Sequence, residues 1–131
     1  MDPSEIVDHI LFVDEKNPME WVVFNFRTWI LMINAIMVKY AGKSEEESDS
    51  IIFASPIVTH ALDDYMSVLC RAHDVTYHWA MLLAHGEQYW LRGIDSREPE
   101  GFYEWDAQYR KDHNLKAESF EFNDDALPDR K

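Results

Sequence analysis

Apolar side chains recur with a helical period between Asn17-Pro18 and Ala41-Gly42. At about 100° per residue they fall on one broad face. The face comprises Val22, Val23, Phe26, Trp29, Ile30, Ile33, Ile36, Met37 and Tyr40. An Asn-Pro pair is typical of a helix start and Gly of a helix end. The pattern predicts a central helix, while the run EWVVFNF at its start also fits a buried strand.

The same stretch is apolar enough to raise the question of a membrane span. Residues 21–38 contain Asn25, Arg27 and Asn34 within their middle turns. Polar and charged residues at that depth of a bilayer are expensive. We therefore expect a helix covered by other helices in a domain without a membrane span.

Other segments carry local helix signals. Residues 2–17 are interpreted as a short first helix that Asp2 caps and Pro3 opens. Ser44 and Glu47 have the spacing of a capping box. Ser55-Pro56 begins a helical pattern that continues to Gly86, and one unbroken helix there would be about 45 Å long. That length is large for a small domain, so a break near His73-Asp74 is favoured.

The C-terminal third is aromatic and acidic. The segment GFYEWDAQYRKDH predicts a short helix, and ESFEF alternates as a strand does. From residue 123 the chain is interpreted as a solvated tail. The predicted fold is therefore mostly α: a compact bundle of about four to six helices over residues 1–122, with a small β element near the C-terminus as an option, followed by a tail over residues 123–131.

The charge of the chain restricts its partners. The 131 residues include 25 acidic and 12 basic side chains, which gives a formal net charge of −13. Such a field repels nucleic acid and anionic membranes and attracts basic surfaces, although acidic surfaces also keep small proteins soluble. We predict a basic protein partner, for example a nucleic-acid-binding protein, without direct contact to nucleic acid or membrane. A homodimer stays open.

Cysteine usage and the N-terminal segment bear on the compartment. Cys70 is the single cysteine, so the chain forms no internal disulfide and offers no cysteine cluster for zinc. The segment MDPSEIVDH lacks the basic start of a signal peptide. These features predict a reducing, cytoplasmic location.

Histidines and carboxylates share the polar side of residues 55–85. Two pairs have the i, i+4 spacing that metal sites use together with a third ligand. Residues 72–75, AHDV, resemble the His-Asp dyad of the HD phosphohydrolases, but the family's other ligands have no match at suitable distances. The less favoured alternative is a metal-dependent hydrolase that uses His60, Asp64, His73, Asp74 and His78. No ligand set is complete, so no cofactor, metal or catalytic residue is predicted, and enzymatic activity is not expected.

Acidic side chains concentrate in residues 45–49, and acidic and aromatic side chains together in residues 98–106. Tyr and Trp beside charged groups are typical of protein interfaces. The predicted partner-binding residues are Glu45, Glu46, Glu47, Asp49, Glu98, Glu100, Tyr103, Glu104, Trp105 and Asp106. By analogy of size and charge, the function expected is that of a small acidic inhibitor that blocks a basic surface, such as a phage anti-defence protein, a nucleic-acid mimic or an immunity protein. The second expectation is a subunit of a larger assembly.

Overall fold

Six α-helices and a three-stranded antiparallel sheet make up the computed structural model, which describes residues 1–123. The predicted mostly α class is confirmed, and so is a small β element. Two short 3-10 helices, Pro3–Glu5 and Tyr89–Arg92, complete the regular structure of these residues. In chain order the other elements are β1 (Ile10–Val13), β2 (Trp21–Phe24), α1 (Phe26–Ala41), α2 (Glu45–Ala54), α3 (Pro56–Thr59), α4 (Tyr65–His73), α5 (Thr76–His85), α6 (Phe102–Asp112) and β3 (Phe120–Phe122).

The sheet takes two of its three strands from segments that the sequence pattern predicts as helical. The strand order is β1-β2-β3, with Ile10 opposite Phe24 and Val22 opposite Phe122. The predicted first helix over residues 2–17 is therefore wrong beyond the 3-10 turn Pro3–Glu5, and the strand alternative for EWVVFNF is correct. β-Branched and aromatic residues favour a strand once a pairing partner is present.

Helix α1 begins at Phe26, later than the predicted start at Asn17-Pro18. That dipeptide instead forms the turn between β1 and β2, where the Asn17 carbonyl accepts the amide of Glu20 at 2.9 Å. The predicted end is correct: Gly42 adopts a left-handed conformation with φ +70°, which glycine tolerates without a steric penalty.

A distant residue caps α1. The side chain of Asn25, the residue before the helix, makes no capping bond. Instead, the Asp8 carboxylate accepts the Thr28 amide at 2.7 Å and the Thr28 hydroxyl at 2.9 Å. A carboxylate at this end of a helix satisfies free amides and opposes the helix dipole. The N-terminal segment is thereby fixed to the start of α1.

Helix α1 is the centre of the core. It packs against α2 and α5 along its length, and its Trp29 lies fully buried 5.5 Å from the ring of Phe24 on β2. The apolar face predicted from the helical period is largely the buried face. Among the described residues, no helix combines the length and apolarity that crossing a bilayer requires.

The predicted caps between α2 and α5 are confirmed. Ser44 and Glu47 form a reciprocal capping box at the start of α2, with both bonds at 3.0 Å. Ser55 caps α3. The predicted break occurs at Asp74, between α4 and α5. A second break, which the helical period does not indicate, separates α3 from α4, where Asp64 caps the new helix.

The two C-terminal elements, α6 and β3, lie where the sequence predicts them. Asn123, the first residue of the predicted tail, is hydrogen-bonded: its Oδ1 accepts the Trp21 amide at 3.2 Å, and its amide group donates to the Met19 carbonyl. Residue 123 is therefore attached to β2, and the rest of the predicted tail lies outside the described residues.

Candidate binding surface

Two adjoining depressions lie on either side of the short connection between α4 and α5. The first, with a volume of about 290 Å³, opens between this connection and α6. The second, of about 350 Å³, opens towards the 3-10 helix Tyr89–Arg92. Asp74 and Val75 line both, so the connection forms a ridge between them. We call the ridge and the two depressions the ridge surface; its lining residues include Asp74, Val75, His78, Trp90, Ser96, Phe102, Tyr103, Asp106 and Arg110.

Exposed apolar and aromatic side chains mark the ridge surface. Tyr103 is 62% exposed, Trp90 45% and Val75 44%. Tyr103 lines the first depression and Trp90 lines the second, while Val75, on the ridge, lines both. Grouped exposed apolar side chains of this kind mark interaction sites more often than single ones do. Rigid aromatic rings are also the side chains that anchor protein interfaces most often.

Two nearby arginines form hydrogen bonds within the chain. The guanidinium of Arg92 donates to the backbone carbonyls of His85 and Glu87. The guanidinium of Arg97 donates to the Asp95 carboxylate at 2.9 Å, and these hydrogen bonds lower the pKa of Asp95 to about 2. Arg97 is therefore paired with a carboxylate, whereas Arg92 keeps its positive charge and directs its guanidinium to backbone carbonyls.

A third arginine forms the floor of the first depression. Arg110 is only 7% exposed and pairs with Asp106 at 2.8 Å. Its guanidinium also donates to the Lys116 carbonyl at 3.2 Å and to the Ser119 hydroxyl at 3.3 Å. The pair thus joins α6 to the segment that leads into β3. Removing one member of such a buried pair is strongly destabilising, so Asp106 has a structural role that composition does not reveal.

The carboxylates of Glu98, Glu100 and Glu104 have no such partner. Among residues 1–123, no lysine or arginine nitrogen lies within 4 Å of them. Partial burial raises the pKa of Tyr103, and the nearby Glu98 carboxylate raises it further. The exposed ring of Tyr103 and an unneutralised carboxylate are therefore neighbours, which supports their prediction as binding residues.

His78 connects the second depression to the core. Its Nδ1 lies 3.0 Å from the hydroxyl of the buried Tyr89, and its Nε2 lies 3.9 Å from Asp74 Oδ2. The first distance is a hydrogen bond and the second is too long for one. The arrangement holds the His78 ring in place at the edge of the surface. Sequence spacing indicates the Asp74–His78 pair but gives no sign of Tyr89.

The histidines and carboxylates of the hydrolase alternative are not assembled into a metal site. His60 pairs with Asp63 at 2.9 Å rather than with Asp64. Asp64 caps α4 by accepting the Ser67 amide at 2.8 Å, and this bond lowers its pKa. Within residues 1–123, no three His, Cys, Asp or Glu side chains are grouped so that they could hold a metal ion. The five residues of that alternative, His60, Asp64, His73, Asp74 and His78, therefore do not form one ligand set.

The acidic residues of α2 have partly structural roles. Glu47 belongs to the capping box, and the Asp49 carboxylate accepts the side-chain amide of Asn34 at 2.8 Å. Glu45 and Glu46 are exposed in the first turn, where acidic side chains oppose the helix dipole. None of these four acids lines either depression of the ridge surface.

Trp105 belongs to an internal ring cluster. Its ring lies 5.6 Å from Tyr40, 5.9 Å from Phe102 and 5.3 Å from Tyr109, and the Lys39 ammonium lies 5.7 Å from its centre. Trp105 is half-buried, so packing explains its presence without a partner. Among the predicted aromatic residues, Tyr103 is therefore the one whose side chain is exposed.

Comparison of the chain with protein-family models, curated proteins and solved structures finds no match. Sequence reasoning did not select Val75, Asp74 or Trp90 as partner-binding residues. Trp90 had a usable signal, because it lies in the aromatic and acidic stretch, whereas Val75 had none.

Proposed function

We propose that this protein is an acidic inhibitor that binds a basic surface of a partner protein through the ridge surface. The observation that carries the proposal is the opposite treatment of charges within residues 90–110, the segment that supplies Trp90, Tyr103 and other residues of the ridge surface. Arg92, Arg97 and Arg110 are used in internal hydrogen bonds, while Glu100 and Glu104 are exposed and without ion-pair partners among residues 1–123. Exposed carboxylates therefore lie in the same segment of the chain as the exposed rings of Trp90 and Tyr103, although the two glutamates line neither depression.

Electrostatic attraction and contacts of aromatic side chains have different roles in the proposed binding. The net charge of −13 attracts a basic partner over a screening length of roughly 8 Å at physiological ionic strength. Complementary potentials raise the association rate and exclude wrong partners more than they add affinity. Tyr103 and Trp90, which are exposed before binding, would lose contact with water in the complex and supply much of the affinity.

The partner class follows from this chemistry. Carboxylates spaced along a surface can occupy the lysine and arginine side chains that otherwise bind phosphates. A nucleic-acid-binding protein is therefore the favoured partner, and the protein would act by covering its binding surface. The biological settings that fit are those of phage anti-defence proteins, nucleic-acid mimics and immunity proteins.

Affinity capture from a lysate of the source organism tests the proposal. The immobilised wild-type chain is compared with a double charge reversal, Glu100→Lys with Glu104→Lys, at low and at high salt. The matched control is Glu5→Lys with Glu15→Lys, because these glutamates are also exposed and the net charge changes equally. We expect the wild type and the control to capture a basic partner at low salt, and we expect this capture to be lost with the Glu100→Lys, Glu104→Lys variant and at high salt.

A second comparison separates the anchor from the packing residue. Tyr103→Ala should weaken partner binding by about 2 kcal/mol, or roughly thirtyfold, and leave the unfolding midpoint nearly unchanged because the side chain is exposed. Trp105→Ala should lower the midpoint because it opens the ring cluster. Equal capture by the wild type, by the Glu100→Lys, Glu104→Lys variant and by Tyr103→Ala at both salt concentrations would contradict the proposal.

A further inference from the structure

Strand β1 has an unused hydrogen-bonding edge. It pairs with β2 on one side only, because the strand order is β1-β2-β3. The amide of Asp14 donates to the carbonyl of Glu20 at 3.0 Å. Because alternate residues of an antiparallel pair bond to the partner strand, Ile10 and Phe12 also direct their backbone groups to β2. The amides and carbonyls of Leu11 and Val13 then point away from the sheet. Within residues 1–123, no hydrogen bond reaches these groups.

The same edge is apolar on both faces. Leu11 is 59% exposed and Val13 is 40% exposed on the outer face, while Ile10 and Phe12 on the inner face are only half-buried. The strand contains no proline and no charged residue. Natural proteins use proline and charged residues, lysine above all, to keep an exposed edge strand from pairing. An unprotected apolar edge of this kind can pair with a strand of another chain.

The geometry of the strand selects a second copy as that partner. If two copies pair antiparallel about Phe12, Leu11 of each lies opposite Val13 of the other. Both outward-pointing residues of each copy are then used, and each pair exchanges two hydrogen bonds. Pairing about Leu11 would instead place Val13 opposite His9, whose φ of +63° ends the strand. It would also place Asp8 opposite Asp14, and like charges in that position are destabilising.

Charge at the two ends of the strand supports the same register. Pairing about Phe12 brings Glu15 opposite His9 and Asp14 opposite Ile10, so no two acids face each other there. We propose that the protein forms a symmetric dimer through antiparallel pairing of β1 with β1, which joins the two sheets into one of six strands. The contact is isologous and closes after two copies. It is independent of the ridge surface, whose residues lie on other elements.

Sedimentation equilibrium over a wide range of concentrations tests the dimer. The mass of the wild type should rise from 15.5 kDa to twice that value. Val13→Pro should remain monomeric, because the ring blocks the outward edge and removes an amide that β2 does not use. Leu11→Lys should also remain monomeric. Leu91→Lys is the matched control, since Leu91 is 70% exposed elsewhere, and it should dimerise as the wild type does.

Salt distinguishes this contact from partner binding. Two copies with a net charge of −13 each repel one another, so added salt should strengthen the dimer, whereas it should weaken binding to a basic partner. Circular dichroism of each variant verifies that it is folded. A wild type that remains monomeric at every concentration and salt, or folded Val13→Pro and Leu11→Lys variants that both still dimerise, would overturn the proposal.

Disulfide trapping tests the register. In a background with Cys70→Ser, a mixture of Leu11→Cys and Val13→Cys chains should form a mixed disulfide on oxidation. Directly opposite residues of a hydrogen-bonded pair have Cα atoms about 5.5 Å apart, which a disulfide spans. Leu11→Cys alone should cross-link poorly. Efficient cross-linking of Leu11→Cys alone, without the mixed product, would contradict pairing about Phe12.

Discussion

Asn25 joins the two ends of the described chain, and its replacement gives a sharp prediction. The side chain is fully buried. Its Oδ1 accepts the His9 amide at 2.9 Å, and its Nδ2 donates to the Glu118 carbonyl at 2.8 Å and to the Glu121 carboxylate at 2.7 Å. A neutral hydrogen bond contributes about 1 kcal/mol net and one to a charged group about 2 kcal/mol. Asn25→Ala should therefore lower the free energy of unfolding by about 4 kcal/mol.

A second asparagine, within helix α1, provides the control. Asn34 makes two side-chain bonds, to the Glu45 carbonyl and the Asp49 carboxylate, but it is only half-buried. Asn34→Ala should lower the free energy of unfolding by less than about 1 kcal/mol, because water replaces the lost bonds. Urea titration followed by circular dichroism measures both variants. Equal destabilisation by the two substitutions would refute the assignment of Asn25 as the buried junction.

Three further substitutions test other parts of the structure. Ser48→Ala should raise the free energy of unfolding by about 1 kcal/mol in urea titration, because its buried hydroxyl has no hydrogen-bond partner among the described residues. Asp106→Asn should lower it by about 3 kcal/mol, since the buried Arg110 loses its counter-charge. In a carboxyl NMR titration, the pKa of Asp95 should be about 2, and Arg97→Gln should raise it towards the ordinary value. Because the folded pKa is lowered, this stabilising contribution is complete above the unfolded value and is lost as the pH falls through about 2.

Features that depend on neighbouring residues were predictable from the sequence. The capping box of Ser44 and Glu47, the start at Ser55 and the stop at Gly42 each need only a few residues of context. Strand β2 could not be assigned from neighbouring residues alone, because Phe122 on β3, with which Val22 pairs, is distant in the chain. The cap that Asp8 provides for α1 could not be predicted for the same reason.

The candidate surface was predictable in composition but not in detail. The acidic and aromatic stretch identified Tyr103, yet it did not show that Trp105 faces the ring cluster. Asp106 and Arg110 are four residues apart on a helix, a spacing that would have indicated their pairing. Val75 lines the candidate surface because the break between α4 and α5 places it on the ridge between the two depressions. That placement is a property of the assembled fold.

The dissociation constant of the captured partner, measured for purified chains at two salt concentrations, tests the proposed function most directly. We predict that Glu100→Lys with Glu104→Lys weakens binding at low salt, and that its affinity depends less on salt than that of the wild type. The control reversal at Glu5 and Glu15 should retain most of the wild-type affinity. If both reversals and the wild type bind with the same affinity at both salt concentrations, the carboxylates of Glu100 and Glu104 do not contribute to partner binding and the proposed function is wrong.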